Sequence, residues 1–415
     1  MNLRTQPAAI AALALLFLAG CGGPPAGQTP QPDANAQAST GAGHSTIAGA
    51  AEVAEPQLHL VAIDAGGETS MLDLLTGTAL RLGAVSPPTE VNTDGRFVFA
   101  ASNTGVDIVD SGAWTWDHVD HFHYYRAEAR NVGKVAGEGA AAIATGMLST
   151  AGTTGMFFPA SGEAVLLDNA ALSGGTIYET LRLETGPHAG LIAPLGEGAV
   201  VTEPDGAGNA ARLRAIDASG NELATTDCPA AAGTVTTRAG LAIGCADGAV
   251  IATMDGARPV FERVPYPVGA AAPAKKFDGR KGRPTVAGAS SDAGVWLLNT
   301  RQRTWDWLPT STPVLAAATV DDTDHHVVVV GADGSVQVYD ASTKKRIAVT
   351  KPLMDATLAD PVLAGRVELA VDGQRAYVNA PAENLVYEID YADGARIART
   401  LELPTTPVHL METGR

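Results

Sequence analysis

Short apolar runs recur along the chain from about residue 57 onward, and Gly, Asp or Asn borders most of them. Clear examples, rich in β-branched or aromatic residues, are residues 96–101, 106–109, 326–331 and 385–389. Beyond the first 21 residues, no stretch keeps apolar residues at positions i, i+3, i+4 and i+7, which is the spacing of an amphipathic helix. The pattern therefore predicts many short β-strands and an all-β domain.

A unit of four strands repeats within this region. In residues 93–110, an Asp-Gly turn is followed by a strand that ends in small residues, a second turn and a strand that ends in Asp. Residues 371–390 repeat this order, and residues 325–340 repeat it less closely. Four-stranded units arranged around an axis form a β-propeller, which leaves only short and protected sheet edges. We predict a single β-propeller domain over residues 57–415.

The number of blades depends on how many units have an innermost strand. Residues 58–85 contain three further strands without an innermost one, and residues 407–412 can supply it from the other end of the chain. Pairing of the N- and C-terminal strands would close the ring, so the pattern favours eight blades over seven. The shortest unit begins at Pro284. The candidate innermost strands begin near Glu90, Gly139, Ala189, Gly233, Pro284, Val314 and Gly365.

The first 56 residues predict processing and attachment. Arg4 and the apolar residues 8–19 have the form of a signal peptide, with an apolar stretch too short to span a membrane. Residues 18–21 (LAGC) resemble a lipobox, so residues 1–21 are predicted to be a lipoprotein signal peptide and Cys21 the acylated residue. Residues 22–56 are rich in Pro, Gly and Ala and are predicted to be a disordered tether. We expect an extracytoplasmic protein, in the periplasm or on the outer face, whose lipid anchor alone contacts the membrane.

The charge and the cysteine content indicate which partners and which compartment are compatible with the chain. The net charge of -17 and the pI near 4.9 argue against a nucleic-acid partner, because phosphates would be repelled. Apart from Cys21, the cysteines are Cys228 and Cys245, which are predicted to form a disulfide in an oxidising compartment. The alternative is that both thiols are metal ligands.

The most distinctive segment is residues 114–126, where three of the nine histidines fall within six residues. Imidazole nitrogens with a neighbouring carboxylate are typical zinc ligands. In an extended segment His121 and His123 share a face, whereas His118 joins them only if the chain turns before Asp120. The alternative is an exposed aromatic loop whose histidines bind nothing. The candidate ligands are His118, His121 and His123, with Asp120 or Asp117 as the carboxylate.

Two other histidines precede predicted innermost strands, which line the channel of a propeller. His188 has a functional and a structural interpretation of equal weight, whereas a structural role is favoured for His409. The predicted topology places His188 on the face opposite the connection that carries residues 114–126. His325 and His326 are predicted to lie at the surface.

No motif indicates catalysis. The chain contains no nucleophile elbow, no P-loop, no zinc-protease helix and no dinucleotide fingerprint. We therefore expect a protein that is not an enzyme and has no catalytic residues.

The histidine-rich segment is similar to the signature of the AztD-type extracytoplasmic zinc metallochaperones, which are β-propellers. The resemblance implies that Zn²⁺ is held by His118, His121, His123 and Asp120, with His188 as a remote ligand, and is passed to the zinc-binding solute-binding protein of an ABC importer. We expect the chain to act as a monomer. The residues that carry the resemblance are Asp117-His118-Val119-Asp120-His121-Phe122-His123-Tyr124-Tyr125, with support from residues 186–190, 227–229, 244–248 and 407–415.

The chain also departs from the family pattern. Residues 230–232 are alanines where the family has a histidine, and the N-terminal segment contains only His44. The lipobox is a further difference. Because these histidines are missing, the resemblance does not imply a second zinc site. Two alternatives stay open, namely a cell-surface propeller that binds protein or glycan without metal, and a lactonase-like hydrolytic propeller in which zinc activates water.

Overall fold

The computed structural model describes residues 49–117 and 121–415. The predicted signal peptide, Cys21 and most of the predicted tether lie outside these residues. Nearly all regular structure is β. The strands in the first half of the described chain are β1 (Ala51–Val53), β2 (His59–Ile63), β3 (Glu68–Asp73), β4 (Ala79–Ala84), β5 (Glu90–Thr93), β6 (Phe97–Ser102), β7 (Gly105–Asp110), β8 (Ala113–Asp117), β9 (Phe122–Arg126), β10 (Arg130–Ala136), β11 (Ala142–Thr145), β12 (Thr153–Phe158), β13 (Glu163–Asp168), β14 (Glu179–Glu184), β15 (Ile192–Leu195), β16 (Gly198–Pro204), β17 (Ala210–Ile216) and β18 (Glu222–Asp227).

The second half continues in the same way. Its strands are β19 (Ala232–Thr237), β20 (Gly240–Cys245), β21 (Gly248–Asp255), β22 (Arg258–Pro265), β23 (Thr285–Ala289), β24 (Gly294–Asn299), β25 (Thr304–Pro309), β26 (Val314–Thr319), β27 (His326–Gly331), β28 (Val336–Asp340), β29 (Lys345–Val349), β30 (Leu369–Val371), β31 (Ala376–Ala380), β32 (Leu385–Asp390), β33 (Arg396–Leu401) and β34 (His409–Thr413). The helices are α1 (Asn169–Ser173), α2 (Asp355–Ala359) and α3 (Pro361–Ala364). Within the described residues, no helix is long and apolar enough to cross a membrane.

The strands form successive antiparallel sheets, and the all-β propeller prediction is confirmed. Four-stranded sheets contain β5–β7 with β10, β11–β14, β15–β18, β19–β22, β26–β29, β30–β33, and β34 with β2–β4, whereas β23–β25 form a three-stranded sheet. The predicted closure of the ring is also confirmed, since β34 pairs with β2 from His59 opposite Thr413 to Ile63 opposite His409.

Hydrophobic clusters fill the interfaces between successive sheets. Phe97 and Phe99 of β6 pack with Met156 and Phe158 of β12, and every later interface is made in the same way. The sheet that contains β34 packs against the neighbours on both sides, which completes the ring. The middle strands are buried on both faces, and fully burying one such side chain contributes about 1.5–3 kcal/mol. This burial explains why the middle strands are continuous apolar runs.

The sheet of β23–β25 differs from its prediction. Sequence analysis placed an innermost strand near Pro284, but β23 takes the second position. The backbone of Asp278 exchanges two 2.8 Å hydrogen bonds with Ala287 of β23, so residues around Asp278 lie on the channel side. Gly279 is also bridged to Thr319 at the end of β26. The prediction failed because this inner segment is basic and Gly-rich and lacks an apolar run.

A β-hairpin is inserted between the third and fourth strands of one sheet. β8 and β9 connect β7 to β10, and β1 pairs with β9 to form a separate sheet in the order β1-β9-β8. The tether was predicted to extend through residue 56, so Ala51–Val53 correct its boundary. This strand was missed because three residues carry no periodic signal.

The structure joins Cys228 and Cys245 in a disulfide. Cys228 directly follows β18 and Cys245 ends β20, so the bond ties two successive sheets together. In the chain-entropy account, a loop of this length gives about 3 kcal/mol of stabilisation. The bond leaves neither thiol available as a metal ligand.

Candidate metal centre

The hairpin extends across one end of the central channel. The hydroxyl of Thr115 donates a 2.7 Å hydrogen bond to the carbonyl of Gly414, just after β34. Asp117 forms an ion pair with Arg238, in the turn after β19. β34 and β19 are innermost strands of sheets four places apart in the ring, and both contacts follow the ends of these strands. We call this the hairpin end of the channel.

The two faces of the hairpin carry different side chains. Side chains alternate along a strand, so Thr115 and Asp117 of β8 share one face, which contacts the propeller. Trp116 lies on the other face, directly opposite His123 in β9, and His121 shares the parity of His123. The imidazoles share this face with Trp114, whose buried ring centroid lies 4.0 Å from the guanidinium carbon of Arg96, so both faces of the hairpin contact the propeller.

The imidazoles of His121 and His123 converge as the sequence predicts. Their Nε2 atoms are 2.9 Å apart, and their ring centroids are 4.8 Å apart. Two nitrogen ligands of a tetrahedral zinc ion, each about 2.0–2.1 Å from the metal, lie about 3.3 Å from each other. A small adjustment of the two rings would thus let both nitrogens coordinate one ion.

A carboxylate missed by sequence analysis completes this arrangement. Glu52 of β1 lies opposite Tyr125 of β9, and its Oε1 atom is 2.6 Å from Nδ1 of His123. If Nδ1 carries the proton and donates it to Glu52, the lone pair of Nε2 is available to a metal. Carboxylates that orient ligating histidines in this way are common around zinc and also increase the basicity of the ring. Glu52 was missed because it fell within the predicted tether.

The remaining predicted ligands of this segment have separate outcomes. His118 and Asp120 lie outside the described residues and stay predictions. The carboxylate of Asp117 contacts Arg238, so it already has a role in attaching the hairpin.

The structure does not bring His188 to the hairpin. His188 lies just before β15, at the end of the channel opposite the hairpin end. Its Nδ1 atom is 2.8 Å from the carbonyl of Gly186, and its Nε2 atom is 2.8 Å from the hydroxyl of Thr202. The ring is buried, with its centroid 4.7 Å from that of Phe157 in an edge-to-face contact. Both nitrogens therefore serve the local fold.

His409 is also buried. Its Nδ1 atom is 3.4 Å from Oε1 of Glu368, which belongs to the neighbouring sheet. This contact fits the structural role that the sequence favoured.

A second group of possible ligands lies in the loop between β26 and β27. One ligand atom from each of Asp322, Asp324 and His326 falls within 4.8 Å of the others. His326 is buried, which corrects its predicted position at the surface. In the sequence, only the position of Asp322 and Asp324 before His326 indicated this group. Two acidic residues near a histidine are equally typical of an ordinary turn.

Hydrogen bonds organise this second group. Nδ1 of His326 is 2.6 Å from Oδ2 of Asp322, and the backbone N–H of His326 donates to Oδ1 at 2.9 Å. Burial raises the pKa of Asp322, but these hydrogen bonds outweigh burial and hold the pKa below its usual range. The loop follows the innermost strand β26, so it lies at the hairpin end of the channel.

Comparison with known proteins gives a match in structure only. No family profile matches the chain, and no curated protein sequence matches it. The crystal structure of Citrobacter koseri AztD is 20% identical, covers 86% of this chain and 98% of its own, and superposes with a TM-score of 0.73. Apo AztD from Citrobacter koseri is 19% identical over 87% of this chain and 98% of its own, also with a TM-score of 0.73.

A more distant match is the dihydro-heme d1 dehydrogenase NirN in complex with DHE. It is 16% identical, covers 87% of this chain and 76% of its own, and has a TM-score of 0.53. At these identities the comparisons establish the fold. The chain is thus a β-propeller protein whose structure is similar to that of AztD, as the histidine-rich segment indicated.

Proposed function

We propose that this protein is an extracytoplasmic metallochaperone that binds Zn²⁺ on the hairpin and delivers it to the zinc-binding solute-binding protein of an ABC importer. His121 and His123 supply two imidazole nitrogens, and His118 and Asp120, which lie outside the described residues, supply the others. Cys21 carries the lipid anchor. The resemblance of residues 117–125 to the AztD signature and the similarity of fold support this assignment.

One observation carries the proposal. The Nε2 atoms of His121 and His123 face each other at 2.9 Å while Glu52 occupies Nδ1 of His123. His188 has both nitrogens hydrogen-bonded to the surrounding protein. In His123, one nitrogen is oriented by a carboxylate and the other meets a second imidazole.

The position of the hairpin suits transfer. A carrier must give up its ion to a partner, so its ligands should be accessible while the supporting scaffold stays rigid. The side chain of His123 is 30% exposed and that of Glu52 is 57% exposed. His121 is exposed and His123 is partly exposed, so a partner can approach the imidazoles while the hairpin stays in contact with the propeller.

The disulfide fits the proposed compartment. Disulfides persist where the environment is oxidising, as it is outside the cytoplasm. The bond between Cys228 and Cys245 therefore supports the location predicted from residues 1–21.

A zinc titration of residues 22–415 tests the proposal. We expect tight binding of one Zn²⁺ that is lost in the His121→Ala/His123→Ala variant and retained in the Asp322→Asn/Asp324→Asn variant. Loss of tight binding only in the second variant would move the metal centre to the loop after β26. Because zinc binds neutral imidazole, affinity should also fall below about pH 6.5.

Transfer is measured separately. Loaded protein is mixed with an apo zinc-binding solute-binding protein, and the zinc content of each is determined after separation. Transfer faster than spontaneous release into a chelator is expected. Equal rates would leave a zinc-binding protein without a delivery function.

A further inference from the structure

The wall of the channel contains a basic segment that the metal centre does not use. Residues 275–283 have the sequence KKFDGRKGR, which places five basic residues in nine positions of a chain with net charge -17. Backbone hydrogen bonds hold this segment on the channel side of β23. Asp278 bonds to Ala287, and the N–H of Arg280 donates to the carbonyl of Thr319 at 2.8 Å.

Several of these side chains line a cavity of about 350 Å³ within the channel. Its volume lies in the range of about 300–1,000 Å³ that is typical of small-molecule sites. Polar groups of innermost strands, including Asn92, Thr145 and Thr236, line other parts of the same cavity. Its basic lining residues are Lys275, Lys276, Arg280, Lys281 and Arg415.

Within residues 49–117 and 121–415, none of the five basic side chains of residues 275–283 forms an ion pair. Asp94 and Asp372 act electrostatically on Lys281 and Arg280, but from farther away than the distance of an ion pair. Nζ of Lys281 donates only to backbone carbonyls, those of Asp94 and Arg415. The guanidinium of Arg280 has no hydrogen-bonding partner among the same described residues. Basic groups that line a cavity in this state are suited to hold an anion.

The cavity is also lined by four acidic residues, which are Asp94, Asp278, Glu368 and Glu412. Burial raises the pKa values of Asp94 and Asp278. Burial and the nearby Asp372 raise the pKa of Glu412 to about 8, although Arg415 opposes the shift. The Oε2 atom of Glu412 is 2.9 Å from a guanidinium nitrogen of Arg415, so Arg415 already has a carboxyl partner. Burial also lowers the pKa of Lys281, with Asp94 opposing the shift and Arg415 adding to it, so an anion in the cavity would stabilise the charged form of this lysine.

The setting of Arg280 also favours a bound anion. Burial lowers its pKa, and repulsion from Arg283 and Arg415 lowers it further, while Tyr391 and Asp372 oppose the shift. An anion beside this guanidinium would relieve the repulsion.

We propose that the channel cavity binds a small oxyanion, either a phosphate or a carboxylate compound, with Arg280 as its principal contact and Lys281, Lys275 and Lys276 as further cations. The planar guanidinium can donate two parallel hydrogen bonds to such a group. This site is separate from the described part of the metal centre, because neither residues 113–117 nor residues 121–126 of the hairpin line the cavity.

Calorimetric titrations of metal-free residues 22–415 test the site with two probes, inorganic phosphate and citrate, at constant ionic strength set with chloride. We expect saturable binding of one equivalent of at least one probe. Arg280→Gln should weaken it by about ten- to a hundredfold, the effect of losing a charged hydrogen bond. Binding of phosphate alone or citrate alone would identify the class of ligand.

The matched control is Arg258→Gln, which removes the same charge from an exposed position outside the cavity and should leave the affinity unchanged. The side chain of Arg280 makes no hydrogen bond to any residue that the structure describes, so its replacement should preserve the fold, which circular dichroism verifies. Binding should also persist in His121→Ala/His123→Ala. Absence of saturable binding of both probes, or equal weakening by Arg280→Gln and Arg258→Gln, would overturn the proposal.

Discussion

His123 and His188 lie at opposite ends of the same channel and differ in what holds their rings. Thr202 and Gly186 occupy both nitrogens of His188, and Phe157 packs against its ring. His123 has a carboxylate on one nitrogen and a second imidazole facing the other. His188 therefore has the contacts of a structural residue and His123 those of a ligand.

The difference shows why proximity to the channel is a weak criterion for function. The sequence places His188 just before an innermost strand, a position from which a side chain can reach a ligand. The structure shows that its hydrogen-bonding capacity is already used. The partners of each nitrogen, and not the position in the fold, distinguish the two histidines.

The largest effect should be on zinc affinity, when the replacement of His123 is compared with that of His188. We expect His123→Ala to weaken zinc binding by more than about a hundredfold, the upper range for removing a group that only orients a ligand. His188→Ala should leave the affinity unchanged, because both of its nitrogens are engaged elsewhere. Competition titration with a chelating dye measures both. Comparable losses in the two variants would remove the distinction.

The reverse should hold for stability. His188→Ala removes two hydrogen bonds and an aromatic contact from a buried position, so the free energy of unfolding should fall by about 2–3 kcal/mol. Replacing the partly exposed His123 by alanine should lower the free energy of unfolding of the metal-free protein by less than about 0.5 kcal/mol. Chemical denaturation of both apo variants gives the two values. A greater loss for His123 would show that the hairpin is structural.

Removing the carboxylate beside His123 should have the smallest effect. Glu52→Ala should weaken zinc binding by about ten- to a hundredfold, because the ring loses its orienting partner but remains a ligand. Glu55→Ala is the control, since it removes an equal charge from a nearby exposed residue. The same titration reports both variants. Equal losses would indicate a general effect of charge near the hairpin, with no specific role for Glu52.

The sequence predicts the fold well because each sheet repeats its own pattern. Turn residues, apolar runs and polar outer strands recur at every sheet, and the apolar runs reflect burial between neighbouring sheets. The exception is the segment around Asp278, which is held by backbone hydrogen bonds to Ala287 and Thr319 and by the packing of the single aromatic residue Phe277. Backbone hydrogen bonds do not depend on the type of side chain, and this segment has no run of apolar residues, so its inner position could not be predicted from the sequence.

The candidate site is only partly predictable for a related reason. His121 and His123 are two residues apart, so the alternation of a strand places them on one face. Glu52 is 71 positions away from His123 and reaches it through a three-residue strand. Asp322 and His326 meet across a loop that residues of positive φ shape, which a linear pattern does not reveal. These contacts form only in the tertiary fold, so the sequence pattern alone does not predict them.

The pairing of β2 with β34 links the metal centre to the completion of folding. Gly414, which accepts the hydrogen bond from Thr115, is fixed only after the strand that precedes it has docked beside β2. A nascent chain cannot reach that state until residue 414 has emerged, long after the hairpin itself has been synthesised. In immature molecules the hairpin would lack this contact with the last strand, and under the proposed function its final position for zinc binding would be reached only after the ring has closed.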